Sequence, residues 1–285
     1  MKFFADTASL DEIEYCFSRG VNDGITTNPK IMETTGDLSI GFEGACKRIL
    51  RDYPNVPVSL ETDLRGIPVS EIEARAEEVK QVLLRQADVL ASWAPNVVVK
   101  IPICTGGINA TKELAERGIK TNVTACMIPY QALRAARAGA TYVSLFANRM
   151  LDSHILELAG YYNLADVLTE NDWKNKLNVG KEKYFEKAWH RTIAQIDYVA
   201  RKLDGTQTSL IVGSIRKPED IIRISKARPQ VITIPTGIVK GLEDIPSLKE
   251  DPVYSKEFQD GVSLVHPMTQ YTLEEFERAA DSYRK

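Results

Sequence analysis

Along the chain, short runs of β-branched and apolar residues alternate with longer stretches in which apolar residues recur every three or four positions. The first pattern predicts strands and the second predicts helices. The strand-like runs are Lys2–Asp6, Gly24–Thr27, Val56–Glu61, Val97–Ile101, Lys120–Thr124, Tyr142–Phe146, Ser209–Gly213 and Val231–Pro235, eight in all. Helical spacing follows most of them, over Ser9–Arg19, Gly41–Asp52, Val69–Ser92, Asn109–Arg117, Pro129–Ala138 and Lys217–Lys226. Strand followed by helix, repeated, is the mark of a parallel sheet with helices outside it. Eight repeats in 285 residues match one (β/α)8 TIM barrel, a fold that typically takes ~250 residues. The alternative is a doubly wound open sheet. That fold usually carries a Gly-rich phosphate turn after its first strand, and Asp6-Thr7-Ala8-Ser9 is not such a turn.

The pattern breaks longest between the sixth and seventh strands, over Leu151–Gly205. This stretch holds Tyr161, Tyr162, Trp173, Tyr184, Phe185 and Trp189 besides many charges. It therefore predicts extra helices packed beside the barrel rather than a linker. No Pro/Gly/Ser-rich boundary or internal repeat divides the chain, so residues 1–285 are expected to form a single domain. Near the end, Thr272 is followed three residues later by Glu275, which predicts a capping box opening a terminal amphipathic helix over Thr272–Lys285. Such a helix can close its own barrel or dock on a neighbouring subunit.

Composition narrows the function classes. Hydrophobic residues make up 44% and charged residues 26%, ordinary values for a globular chain. A net charge of -3 argues against a nucleic-acid partner held on a large basic surface. The N-terminus lacks the apolar stretch of a signal peptide, and no window approaches the ~18 uninterrupted apolar residues of a membrane span. A cytoplasmic protein without a membrane partner is expected. Cys16, Cys46, Cys104 and Cys126 stand far apart, as do His154, His190 and His266, so metal sites and disulfide frameworks both fail on spacing.

One residue does not fit the pattern. Asn96–Pro102 reads N-V-V-V-K-I-P, a run of β-branched residues suited to a strand covered on both faces, with Lys100 inside it. Taking an ammonium out of water favours the free amine, and a free amine attacks ketones to form a Schiff base. The plainer reading is a lysine that reaches the strand end or pairs with a buried carboxylate. In an α/β barrel the carboxyl ends of all eight strands converge on the active site. Those ends present Asp6, Thr26-Thr27-Asn28-Pro29, Glu61, Lys100, Asn122 and Thr124, Ser144 and Phe146 with Arg149 beyond, and Ser214-Ile215-Arg216. Each also has a structural reading: Asp6 as a helix cap, Asn28-Pro29 as turn punctuation, Glu61 as part of a surface ion-pair cluster.

Four motifs, G-I-T-T-N-P (Gly24–Pro29), V-V-V-K-I-P (Val97–Pro102), N-V-T (Asn122–Thr124) and S-I-R (Ser214–Arg216), resemble the transaldolase family, in the compact subgroup that includes fructose-6-phosphate aldolase. The likeness spans strands one to seven and the terminal helix. It is weakest over 151–205 and 246–270, which look longer than in the shortest members. The resemblance implies that Lys100 forms a Schiff base with a ketose donor and that Asp6 exchanges the proton of its C4 hydroxyl. Glu61 and Thr124 resemble the pair that holds a catalytic water. Thr27, Asn28, Asn122 and Ser144 would line the dihydroxyacetone unit, while Arg149, Ser214 and Arg216 resemble a phosphate site. No cofactor and no metal are implied.

Glu61 and Phe146 resemble true transaldolases, whereas fructose-6-phosphate aldolases carry Gln and Tyr there, so transfer is expected over release of dihydroxyacetone. Two other readings keep the lysine: a lyase, and an enzyme for another anionic sugar. A reading of a different kind is a barrel that has lost turnover and serves as a binding protein. The resemblance also implies sugar phosphate substrates, and a homo-oligomer anywhere from dimer to decamer.

Overall fold

The computed structural model describes residues 1–161, 172–242 and 264–283. Eight parallel strands close into a barrel in chain order, the first pairing with the last. They are β1 (Lys2–Asp6), β2 (Gly24–Thr26), β3 (Val58–Glu61), β4 (Val97–Pro102), β5 (Thr121–Cys126), β6 (Tyr142–Phe146), β7 (Ser209–Gly213) and β8 (Val231–Pro235). This is the TIM barrel that the alternation of patterns predicts.

Around the barrel lie α1 (Leu10–Ser18), α2 (Pro29–Thr35), α3 (Gly41–Asp52), α4 (Ala76–Trp93), α5 (Thr105–Glu116), α6 (Pro129–Arg137), α7 (Ala147–Leu158), α8 (Asp172–Leu203), α9 (Pro218–Ser225), α10 (Thr236–Lys240) and α11 (Pro267–Ala280). Two of these, α2 and α10, are absent from the sequence pattern, and α7 begins four residues before the predicted helical stretch that starts at Leu151. Helix α2 is only seven residues long and ends in two threonines, so its local propensity is weak. Asn28 accepts a hydrogen bond from Ile31 N at 2.8 Å, and Pro29 follows at the first helical position. Helix α5 starts four residues earlier than its spacing suggests, because the Cys104 thiol accepts from Gly107 N. The described residues of the interruption between β6 and β7 are mostly helical, as expected, with the 32-residue α8 packed along α7. Its Tyr162 lies outside the described residues.

The terminal helix corrects one expectation. It begins at Pro267, with His266 as its cap, not at Thr272. Thr272 sits in mid-helix and donates to Met268 O at 2.7 Å. The proline at the first helical position was the better start signal. The helix folds over its own barrel: Thr269 donates to Ala125 O at 2.9 Å, and Gln131 of α6 donates to Leu264 O and to Thr269 Oγ1.

Strand parity divides the interior. Outward-facing residues such as Ala5, Ile25, Leu60, Val99, Val123, Leu145, Val212 and Ile232 join the continuous core between strands and helices. Inside the barrel the floor is apolar: Phe4, Ile211 and Val231 form their own cluster, with Tyr142 edge-on to Phe4 at 5.9 Å. Gly24 makes room for it, since a Cβ there would lie 2.7 Å from the Phe4 ring. Above this floor, most inward positions turn polar.

Candidate active site

Two residues along each strand from the floor, the pleat returns to the interior. Phe4 is thus followed by Asp6, Gly24 by Thr26, Tyr142 by Ser144 and Val231 by Thr233. Register aligns Glu61 with Lys100 and Lys100 with Asn122 across β3, β4 and β5. The result is a chamber at the carboxyl ends of the strands, walled by these polar side chains.

Lys100 is its centre. The residue is 4% exposed; its Nζ lies 2.8 Å from Glu61 Oε2 and donates to Thr27 O at 2.8 Å. Glu61 is buried beside it, so the surface-cluster reading fails. In the loop beyond it, Asp63 is largely buried and pairs with the exposed Arg65. Burial pushes the Glu61 carboxyl above the usual carboxylate range, with Lys100 opposing the shift. Asp6 is raised as well, again chiefly by burial, against the hydrogen bond from Thr26 and the charge of Lys100. Asp6 does not cap α1; it accepts from Thr26 Oγ1 at 2.6 Å, and Thr26 in turn bonds Thr233.

On the opposite wall, Ser144 Oγ donates to Asn122 Oδ1 at 2.7 Å, and Asn122 Nδ2 donates to Ser59 Oγ at 3.3 Å. Thr124 is fully buried and its hydroxyl makes no hydrogen bond among the described residues. The next residue, Ala125, has φ 61°, and the β5–β6 register shifts between Val123 and Cys126. A bulge at this point re-aims the strand end that carries Thr124. Cys104 and Cys126 are buried, with thiols pushed well up by burial, and Cys104 serves as a helix cap.

The rim residues are less free than their sequence suggests. Thr27 turns its hydroxyl to Ser59 O at 2.8 Å, so its main-chain carbonyl, not its side chain, meets Lys100. Asn28 caps α2 through Oδ1 while standing beside the chamber. Arg216 is held by Asp152 through two hydrogen bonds of 3.0 and 2.6 Å, and Arg149 pairs with Glu275 of α11. Phe146 packs against Phe276 at 6.4 Å. Ser214 takes a left-handed conformation, φ 63°, secured by Asn148 Nδ2 donating to its carbonyl. Asp220 then accepts from the main-chain N–H of Arg216 and Lys217.

The strand-end pattern names Thr26 but gives it no role, and it does not name Ser59, Thr233 or Asp152. Period-2 parity below Glu61 and below the eighth strand end points to Ser59 and Thr233. Asp152 lies one helical turn beyond Arg149 and had a spacing signal too. For Glu275 and Tyr271 there was none, because they reach the rim only when α11 folds back over the barrel.

Fold and site together define a class: an α/β-barrel enzyme with a buried lysine–carboxylate pair where its strands end. The chain belongs to the transaldolase/fructose-6-phosphate aldolase family, whose sequence profile matches residues 3–285, and it is an enzyme of that type. A probable transaldolase of Anaeromyxobacter sp. (strain K) is 32% identical over 249 residues, covering 86% of this chain and 90% of that protein. One from Syntrophobacter fumaroxidans is 34% identical over 251 residues, with 86% and 90% covered. One from Herpetosiphon aurantiacus is 33% identical over 246 residues, with 86% and 89% covered.

Proposed function

We propose that the enzyme transfers a dihydroxyacetone unit from a ketose phosphate, such as fructose 6-phosphate or sedoheptulose 7-phosphate, to an aldose phosphate, through a Schiff base on Lys100. The observation that carries this reading is the Lys100–Glu61 pair, buried together in a polar chamber otherwise lined by hydroxyls, an amide and one further carboxyl. Among the described residues no helix is long and apolar enough to cross a membrane, and no cluster of His, Cys, Asp or Glu suits a metal ion.

The chemistry starts with Glu61, a buried carboxylate 2.8 Å from Nζ, which takes a proton from Lys100 and leaves an amine. The amine attacks C2 of the ketose, and the resulting carbinolamine loses water to give an iminium. Glu61 and the Thr124 hydroxyl hold that water. Asp6 then accepts the C4 hydroxyl proton, the C3–C4 bond breaks, and its electron pair moves into the iminium to form an enamine. The aldose phosphate leaves, an acceptor aldehyde enters, and the steps run in reverse. Asn28, Asn122 and Ser144 hold the hydroxyls of the three-carbon unit; Arg149, Ser214 and Arg216 hold the phosphate, where guanidinium forks match its oxygens. Phe146 offers no hydroxyl to protonate the waiting enamine, which favours transfer over release.

The test is intact mass after borohydride treatment with fructose 6-phosphate, followed by product analysis with and without erythrose 4-phosphate. A three-carbon adduct in the wild type, none in Lys100→Met, and turnover only with acceptor present are expected. Free dihydroxyacetone formed without acceptor would turn the reading to a lyase. Absence of any adduct would remove the Schiff-base mechanism.

A further inference from the structure

Both rim arginines are engaged by carboxylates, but on different terms. Asp152 grips Arg216 from a fully buried position on α7. It cannot leave without an unpaired charge in the core, so it is a fixed support. Arg149 lies on the same helix, and its partner Glu275 comes from α11 with a side chain 30% exposed to solvent. Rotation of Glu275 into water therefore needs no movement of the helix.

The guanidinium of Arg149 keeps its place by other means. It lies over the Tyr271 ring at 5.0 Å, and Trp173 of α8 stands edge-on to that ring at 5.5 Å. The turn that bears Glu275 is likewise anchored without it: Phe276 packs on Phe146, and Glu277 accepts from Leu64 N at 2.6 Å. A carboxylate and a phosphate oxygen compete for the same guanidinium donors.

From this we infer that Glu275 is an internal anion occupying Arg149 in the empty enzyme, displaced by the substrate's phosphate and therefore setting affinity for phosphorylated ligands. The inference rests on the proposed assignment of Arg149 to the substrate phosphate. In the empty site, Glu275 offsets the positive charge of the rim. In the loaded site it turns to solvent and Arg149 gives its freed donors to the phosphate. Uncharged three-carbon ligands, which do not reach Arg149, bind without disturbing it.

The test compares wild type, Glu275→Gln, Glu275→Asp and Arg149→Met. Three readouts are taken: KM for fructose 6-phosphate, competitive inhibition by inorganic phosphate, and the dihydroxyacetone concentration that half-saturates borohydride trapping. Thermal melting of each variant reports folding. Both Glu275 variants are expected to lower the fructose 6-phosphate KM and the phosphate inhibition constant by about three- to tenfold, the range of a partly exposed ion pair. Dihydroxyacetone trapping is expected to stay unchanged. Arg149→Met is expected to raise the KM. A KM that rises or stays level in folded Glu275 variants, while Arg149→Met raises it, overturns the displacement and makes Glu275 a support for Arg149. A KM unmoved by Arg149→Met overturns the phosphate assignment itself, and the displacement with it.

Discussion

Asp6 and Glu61 differ in what restrains them, and the difference shows in how activity should depend on pH. Both carboxyls are pushed up by burial, so the acidic limb of a reaction that needs them ionised lies above the ordinary carboxylate range. As pH falls through those raised values, kcat is expected to fall. Thr26 donates to Asp6 and favours its ionised form. Thr26→Val should therefore move the acidic limb of the kcat–pH profile upward, and a limb that stays in place would remove Asp6 from the rate-limiting ionisation. Asp6→Asn should lower turnover by about 10²-fold or more, while borohydride with fructose 6-phosphate still traps an adduct on Lys100. At the rim, Asn148→Ala withdraws the donor that holds the left-handed Ser214 turn. The expected result is a raised KM for phosphorylated ketoses with trapping of dihydroxyacetone unchanged.

Elements are placed by a few close approaches that side-chain bulk would spoil. In β2, Gly24 leaves room for the Phe4 ring that forms the barrel floor. Gly24→Ala forces that ring aside, at about 1–3 kcal/mol, and is expected to lower Tm without changing the borohydride adduct. Gly107 in α5 is tighter: a Cβ there would lie 2.0 Å from Pro102 O, a main-chain atom at the end of the strand that carries Lys100. Gly107→Ala should therefore be the more damaging of the two, lowering both Tm and activity, because a carbonyl in a strand cannot swing aside as a ring can. Equal melting temperatures for the two variants would contradict this packing. The strands themselves were legible from apolar runs, and β1, β6, β7 and β8 keep their expected bounds. Helix α2 was not, since a cap and a proline support it more than its own residues do. Helix α11 starts five residues before Thr272; Thr272 and Glu275 imitate a capping box that the fold does not use.

At the scale of the whole molecule, burial sets the acid limit of stability. His154 is held neutral, its value lowered to about 3, first by burial and then by the nearby charges of Arg191 and His266, while its ring bonds Thr192 at 3.0 Å. His266, the cap of α11, is lowered to about 4 by burial, and its Nδ1 accepts from Met268 N. For a histidine whose folded value is depressed, the stabilising contribution is present above the unfolded value near 6.5 and is lost as pH falls toward the folded value. For His154 the loss at pH 5 amounts to about 2 kcal/mol. Tm should thus decline between pH 7 and pH 4, and His154→Gln should flatten that decline; an unchanged slope would show that His154 is not neutral in the fold.

The sequence by itself determined the barrel, the order of its strands and the lysine among them, because strand periodicity and a misfit charge are local properties. It also brought Asp6, Glu61, Asn122, Thr124 and Ser144 to one place, since parallel strands closed into a barrel align their ends whatever their separation in the chain. What only the tertiary structure decided is which atom each residue presents and to whom. Thr27 turns its carbonyl to Lys100 because its hydroxyl is spent on Ser59, Arg216 is fixed by an aspartate one layer deeper, and Arg149 answers to a terminal helix more than a hundred residues away. Those choices depend on packing between distant segments, where no pattern along the chain carries a signal.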